Sequence, residues 1–423
     1  MFQIPRGTRD FTPEEMEKRR HVESQMRSTF TSFGYREIQT PTFENLELFT
    51  AKSGDGILEE IYAFKDKGGR DLALRPELTA PVMRFYVEKL QMEPKPLKLF
   101  YFGNCFRYDR PQKGRYREFQ QAGCELIGPN TEEAYAELIA LSYFLLKNIG
   151  LSNIQINIGN LTILSSMFER LGLSKTDQKK LIPLIDKSLF SDVFDVLLEC
   201  GLDQKKAQNF IDFLQTSEKE KIKKIVKDDP VSEKEFINLE RILDLLDFSF
   251  HLSNYQIKLS IVRGLDYYKG LVFEIEAPVL GAEKQLCGGG AYELVPLFGG
   301  TDVPTTGFAI GFDRAILALE TEKFSFPKRQ LDAFVIPVNE EMIKKALEIT
   351  QTLRDKGKMT VDVDLLRRGI GKAMKYANTL NVNTAIIVGP KELETDSVTL
   401  RDMKTGNQEL VKISDVLSKV KNM

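Results

Sequence analysis

The 423-residue chain holds only four cysteines, Cys105, Cys124, Cys200 and Cys287, and none stands in a CxxC pair. That scatter suggests neither a disulfide framework nor a zinc site, and no metal ligand set is expected from protein side chains. No apolar run approaches the roughly 20 residues of a spanning helix, so no membrane partner is expected. The opening residues, MFQIPRGTRDF, lack the apolar stretch of a secretory leader. The cytoplasm is the expected compartment. An excess of charge is missing too: 59 Lys and Arg against 61 Asp and Glu give a formal net charge of −2. With a pI near 6.0, an overall positive field is excluded, and any nucleic acid must be met by local basic patches. No GxxxxGK[ST] loop, internal repeat or low-complexity tract occurs.

What is present describes a folded globular chain of two or three domains, 42% hydrophobic and 28% charged. Residues 13–33 read as a helix with Pro13 at its start and Gly34 just past its end. YREIQTPTFE follows as a short strand closed by Pro41, and EIYAFKDKGGRDLALRPE has the form of a hairpin. PLKLFYFGNCFRYDR and REFQQAGCELIG pair around a basic loop. A helix over about 131–149 leads into the strand IQINIG. From about 160 to 250 the apolar spacing turns to a 3.6-residue period, so a helical segment interrupts the strand-rich region. The last hundred residues alternate strands and helices as a small α/β domain with a parallel sheet. The expected organisation is 1–160 and 251–325 as two parts of an α+β core, 161–250 as a helical insertion, and 330–423 as the α/β domain.

Three stretches attract chemistry. In FRYDRPQKGRYREFQQAGCE, strand alternation puts Arg107 and Asp109 on one face, and Phe119, Gln121, Gly123 and Glu125 on one face of the return. A sheet so built floors a pocket of Arg, Gln and Glu around an aromatic ring, and buried charges of that kind need partners such as a nucleotide phosphate and an amino-group substrate. GFDRAIL places Arg314 at the head of a helix, suggesting a second guanidinium on a polyphosphate. RGLDYYKGLVFE sets charges and two tyrosines between the apolar stretches IKLSIV and LVFEI, both read as buried strands. The glycines of CGGGAY read as a strand whose backbone approaches a ligand, with Tyr292 facing the pocket.

These segments together resemble the histidyl-tRNA synthetases, within the class II aminoacyl-tRNA synthetases, over essentially the whole chain. RGTRDFTPEE is similar to the family's opening segment, FGYREIQTPTFE to class motif 1, FRYDRPQKGRYREFQQAGCE to motif 2 and GFAIGFDRAIL to motif 3. RGLDYYKGLVFE and CGGGAYE resemble the two segments of the histidine-specific branch. The resemblance implies a class II antiparallel-sheet core with a helical insertion and a C-terminal anticodon-binding domain, working as a homodimer. It implies ligation of L-histidine to its cognate tRNA through histidyl-adenylate, with ATP and Mg²⁺. It assigns Glu77, Thr79, Gln121, Glu125, Tyr267, Tyr268 and Tyr292 to histidine. Arg107, Asp109, Phe119 and Arg314 fall to ATP, with Arg263, Arg107 and Arg314 as the catalytic cations. Arg110, Gln112, Lys113 and Arg115 fall to the tRNA acceptor end. The chain departs from the usual pattern at Leu78, Asp109, Ala291 and Glu293. A silent paralogue, the histidine-sensing regulatory subunit of ATP phosphoribosyltransferase, would lack the C-terminal domain and degrade the arginine set; here both are present.

Overall fold

The computed structural model describes residues 2–422 apart from 54, 111–113, 263–267 and 329. The chain divides into two units, Met1–Phe326 and Pro327–Met423.

The first unit is organised by one eight-stranded sheet. Its spatial order is Arg36–Glu37, Leu97–Phe106, Glu118–Ile127, Thr305–Gly311, Gln285–Tyr292, Tyr268–Glu276, Gln155–Asn160 and Tyr255–Ile257. The six central strands run antiparallel, and only the two short edge strands are parallel to their neighbours. Strand alternation sorts the side chains between two faces. Phe100, Ala122 and Cys124 join Val22, Met26 and Phe30 of the helix Pro13–Ser32 and Leu138, Leu141 and Leu145 of the helix Glu132–Asn148 in the main core. Phe30 stacks on Phe100 with ring centres 4.7 Å apart. The alternate residues Leu99, Tyr101 and Cys105 face the opposite side, together with Tyr292. Long helices cover one face; on the other, Val82 and Met83 of the helix Thr79–Phe85 join Leu99 and Tyr101 in a smaller cluster, and the rest floors a site.

Local signals explain the first helix. Thr12 and Glu15 close a capping box and Pro13 occupies its first turn. The single strand expected over YREIQTPTFE is instead two, Arg36–Glu37 and Phe43–Asn45. Pro41 lies between them without an amide proton to offer a ladder. The hairpin forms, with Ala63–Lys65 and Asp71–Leu74 antiparallel. The apolar stretch before RGLDYY is a strand only to Ile257; Leu259, Ile261 and Val262 are buried outside any strand. Residues 161–249 form six helices, and their apolar faces belong to the same core as the sheet.

In the second unit five strands run in the order Val361–Val363, Leu331–Pro337, Val382–Val388, Ser397–Asp402 and Gln408–Lys412. The first three are parallel, as expected; the last two form an antiparallel hairpin that the parallel reading did not contain. Alternation again decides the layers. Ala333 and Val335 meet the helix Ile343–Asp355, whereas Phe334 and Ile336 meet the helix Ile370–Thr379. Among the described residues no helix is long and apolar enough to cross a membrane.

Phe30 is fully buried between sheet and helix, so Phe30→Ala is expected to destabilise the protein by about 3–5 kcal/mol. A melt whose first transition does not move would contradict this packing.

Candidate active site

The second face of the sheet floors a cavity of about 770 Å³. Its wall brings together Glu77, Thr79, Arg107, Asp109, Arg115, Phe119, Gln121, Tyr268, Tyr292 and Arg314 from the expected set. Arg110 is exposed and does not line it. Arg263, Tyr267, Gln112 and Lys113 lie outside the described residues.

One expected position needs correction. Glu125 does not line the cavity; it is 1% exposed and sits within the sheet. Tyr101 Oη donates to its Oε1 at 3.0 Å, and Tyr292 Oη donates to Oε2 in a very short bond. The carboxyl fits only because the facing residue is Gly307, where a Cβ would fall 1.8 Å from Oε2. Glu125 thus anchors Tyr292, which does line the cavity. Burial pushes the Glu125 carboxyl up to about 8, against the pull of hydrogen bonds from Tyr292, Tyr101 and Thr79; neighbouring Glu77 adds to the rise.

Arg107 and Asp109 also sit differently from expectation. The outgoing strand ends at Phe106, and both residues lie just beyond it. Arg107 is fixed by other means: its Nε donates to Pro76 O at 2.9 Å, and its guanidinium carbon lies 5.3 Å from the centre of the Phe119 ring. Pro76 is itself held through its neighbour Arg75. That buried side chain donates from Nε to Asn104 O at 2.8 Å and from Nη1 to Thr40 O and Pro41 O at 2.8 and 2.9 Å. Gly103 makes room for it, because a Cβ there would stand 2.5 Å from Nη2. Asp109 pairs with Arg115 at 3.3 Å.

The remaining walls are equally built. Glu77 accepts from Thr79 N and Ala80 N at 2.6 and 3.1 Å, holding its carboxylate at the start of the helix Thr79–Phe85. Gln121 Oε1 accepts a weak bond from Cys105 Sγ at 3.3 Å. Tyr268 and Tyr292 sit opposite each other on paired strands with rings in edge contact, centres 6.2 Å apart. Arg314, in the first turn of the helix Phe312–Thr321, donates to Gly114 O and Gln285 O, each at 3.1 Å, and to Glu283 at 2.5 Å. At CGGGAY the glycines serve both the cavity and the sheet packing. Gly288 and Gly289 line the cavity, but a Cβ on Gly289 would strike Phe308 and Phe273 of the adjoining strands.

This arrangement presents cations at two sides, an aromatic ring between them, and a polar recess of Glu77, Gln121, Tyr268 and Tyr292. It suits a polyanionic nucleotide beside a small amino-acid-like ligand. The family model "Histidyl-tRNA synthetase" matches residues 7–315, and "Anticodon binding domain" matches 332–423. The chain belongs to the histidyl-tRNA synthetase family. It is 44% identical to the histidine–tRNA ligase of Methanosarcina acetivorans, with 98% of each chain covered. It is 45% identical to that of Methanocaldococcus jannaschii, covering 98% of this chain and 99% of that one. The crystal structure of histidyl-tRNA synthetase from a Nostoc species superposes with a TM-score of 0.84 at 25% identity, covering 100% of this chain and 99% of that one.

Sequence reasoning passed over Tyr101, Arg75, Arg9, Arg19, Gln120, Glu283 and Asp313. Asp313 and Arg9 had a visible signal, being next to Arg314 and inside RGTRDF. Tyr101 had none beyond its place on the alternate face of a strand.

The Glu125 carboxyl gives a pH test with a definite sign. An unfolded chain releases this proton near pH 4.3, whereas the folded protein holds it until about 8. Between those values wild-type stability falls as pH rises, at up to about 1.4 kcal/mol per unit. Glu125→Gln removes that loss, so the variant should gain stability relative to wild type between about pH 5 and about pH 8. Denaturation at both pH values checks it, and a constant difference would contradict the buried carboxyl.

Proposed function

We propose that the chain ligates L-histidine to its cognate tRNA at the expense of ATP, releasing AMP and pyrophosphate. The observation that carries the reading is one cavity in which Arg107 and Arg314 meet Glu77, Gln121, Tyr268 and Tyr292, residues widely separated in sequence. In the first step a carboxylate oxygen of histidine attacks the α-phosphorus of ATP. The bond to the β-phosphate bridging oxygen breaks, and histidyl-adenylate and pyrophosphate result. In the second step a hydroxyl of the terminal adenosine of tRNA takes the acyl group, and AMP leaves. No enzyme nucleophile is needed, so catalysis rests on positioning and on cations around the pentavalent phosphorus.

The roles rest on the resemblance, and for the described residues their place on the cavity wall supports them. Arg107, beside Phe119, is assigned the α-phosphate, with Phe119 against adenine; Arg314 at the helix start is assigned the γ-phosphate. Arg263 lies outside the described residues; the family resemblance of RGLDYYKGLVFE assigns it the charge that develops on the α-phosphate. Glu77 and Gln121 receive the amino group, and Tyr268 and Tyr292 the imidazole, with Glu125 acting from beneath through Tyr292. An apolar amino acid would leave those polar groups unpaired, which is a physical source of selectivity. Among the described residues no three or more His, Cys, Asp or Glu gather as a metal site. Asp313 and Glu283 are engaged by arginines. Mg²⁺ is proposed to arrive bound to ATP.

Arg110, Gln112, Lys113 and Arg115 are assigned the acceptor end, the helices 161–249 the acceptor stem, and the unit from Pro327 the anticodon. Such contacts depend on phosphate neutralisation and splayed bases. A homodimer is supported by Phe43 and Phe64, which are 53% and 43% exposed and in edge contact beside motif 1. Sedimentation should then report about twice the 48.2 kDa chain mass, and Phe43→Glu should shift it toward the monomer; a wild-type monomer would dismiss the dimer.

Histidine-dependent exchange of pyrophosphate into ATP tests the reaction directly. Wild type should exchange well above a blank without histidine, and Arg263→Ala should fall by at least about 100-fold with its melting temperature retained. Exchange absent from wild type would favour the histidine-sensing alternative, and near-normal exchange in the variant would remove Arg263 from the mechanism.

A further inference from the structure

Two arginines from the first twenty residues end on one carboxylate at the cavity wall. Arg9 Nη2 and Arg19 Nη1 donate to Asp313 Oδ1 at 2.7 and 2.6 Å. The other oxygen, Oδ2, accepts the backbone amide of Gln120 at 2.7 Å, and Arg19 Nη2 reaches Gln120 Oε1 at 2.8 Å. The Arg9 guanidinium also sits over the ring of Tyr116 on the basic loop's return, its carbon 3.4 Å from the ring centre. Arg117 N donates to Gly7 O at 2.9 Å. Phe11 fills the angle, 5.0 and 4.2 Å from the two guanidinium carbons.

The distribution of these contacts is selective. Segment 7–19 grips Tyr116 and Arg117 on the loop, Gln120 on the return strand, and Asp313 in the first helical turn. Those points flank Phe119 and Arg314, the two residues assigned to ATP. Among the described residues, these contacts of the segment do not include Glu77, Tyr268 or Tyr292. Charge alone does not account for the pattern, since one arginine would neutralise Asp313. The second guanidinium supplies direction, through its planar donors and its face on an aromatic ring. Asp313 is 4% exposed and Arg19 11%, so the node is shielded from screening by solvent.

We infer that the N-terminal segment is a brace for the nucleotide half of the site, with Arg9 and Arg19 as positioning residues. Through Asp313 and Gln120 they fix the separation of Phe119 from Arg314. The inference rests on the ATP reading of the cavity given above. A plain anchor for the chain terminus would affect stability without distinguishing the two substrates.

The test uses full-length wild type, Arg9→Met and Arg9→Lys in pyrophosphate exchange, with KM for ATP and for histidine measured separately and a thermal melt of each protein. Arg9 is partly exposed, so its variants should fold; any unfolded fraction lowers kcat without altering either KM. Arg9→Met should raise KM for ATP on the order of tenfold, the cost of one charge-assisted hydrogen bond, and leave KM for histidine within about twofold. Arg9→Lys keeps the charge but not the planar fork, and should recover only part of the ATP effect. An unchanged KM for ATP, or an equal rise for both substrates, overturns the brace while leaving the ligase reading standing. Absence of exchange in wild type overturns the reading and the brace together.

Discussion

A carboxyl group inside a β-sheet is the constraint around which this site is arranged. Taking Glu125 out of water disfavours its charged form by several kcal/mol unless the surroundings replace the lost hydrogen bonds. Two tyrosine hydroxyls replace them only in part, so the carboxyl keeps its proton to about 8, and each arrives from a different segment: Tyr101 from the adjoining strand, Tyr292 across Gly307 from the strand beyond. A chain that must satisfy this group has little freedom elsewhere on the floor. Gly307 cannot carry a side chain, the ring of Tyr292 is fixed in tilt, and Tyr268 opposite is fixed against Tyr292. The shape of the recess is thus decided by a residue beneath its surface.

The cations follow a different logic. With a net charge of −2, the protein has no global field to draw a nucleotide, and its arginines are held locally. Arg314 is paired with Glu283 and two carbonyls, and Arg107 gives Nε to one carbonyl. Such partners hold a guanidinium in its working rotamer, which a long flexible side chain would otherwise lose entropy to adopt. With Arg314 on the γ-phosphate, as proposed, ATP would have to compete with Glu283 for its guanidinium, so part of the attraction would go into replacing an existing pair. That trade favours a ligand with more charge than a single carboxylate, as a triphosphate has.

Much of this was legible in the sequence, and the boundary of legibility has a physical cause. Period and punctuation located the first helix, the hairpin, the helical stretch 161–249 and the core of the second unit, because those elements are set by local spacing. Motif resemblance named ten of the thirty described residues along the cavity wall. What escaped depended on contacts distant in sequence. The depth of Glu125 follows from Gly307, far along the chain, and strand alternation alone places it on the correct face but not at the correct depth. Arg107 seemed to belong to a strand that ends one residue earlier. The C-terminal hairpin was lost because its strands, Ser397–Asp402 and Gln408–Lys412, carry polar edges that the apolar pattern does not mark.

The residues missed altogether share a property that bears on how such sites are built. Arg75, Arg9, Arg19, Asp313 and Tyr101 are arranged around residues assigned to substrates: Arg75 next to the segment of Glu77, Asp313 next to Arg314, Tyr101 beneath Tyr292. In each case a strongly directional group, a guanidinium, a carboxylate or a hydroxyl, binds backbone or another fixed polar atom. A cavity lined by long side chains needs that second layer, since a displacement of about 1 Å is enough to forfeit in-line geometry at phosphorus. Family motifs flag the first layer because chemistry restricts its residue types. The second is restricted only by geometry, which any donor of suitable reach can meet: Arg9 and Asp313 show in the sequence only by adjoining motif residues, and Tyr101 shows only when the chain is folded.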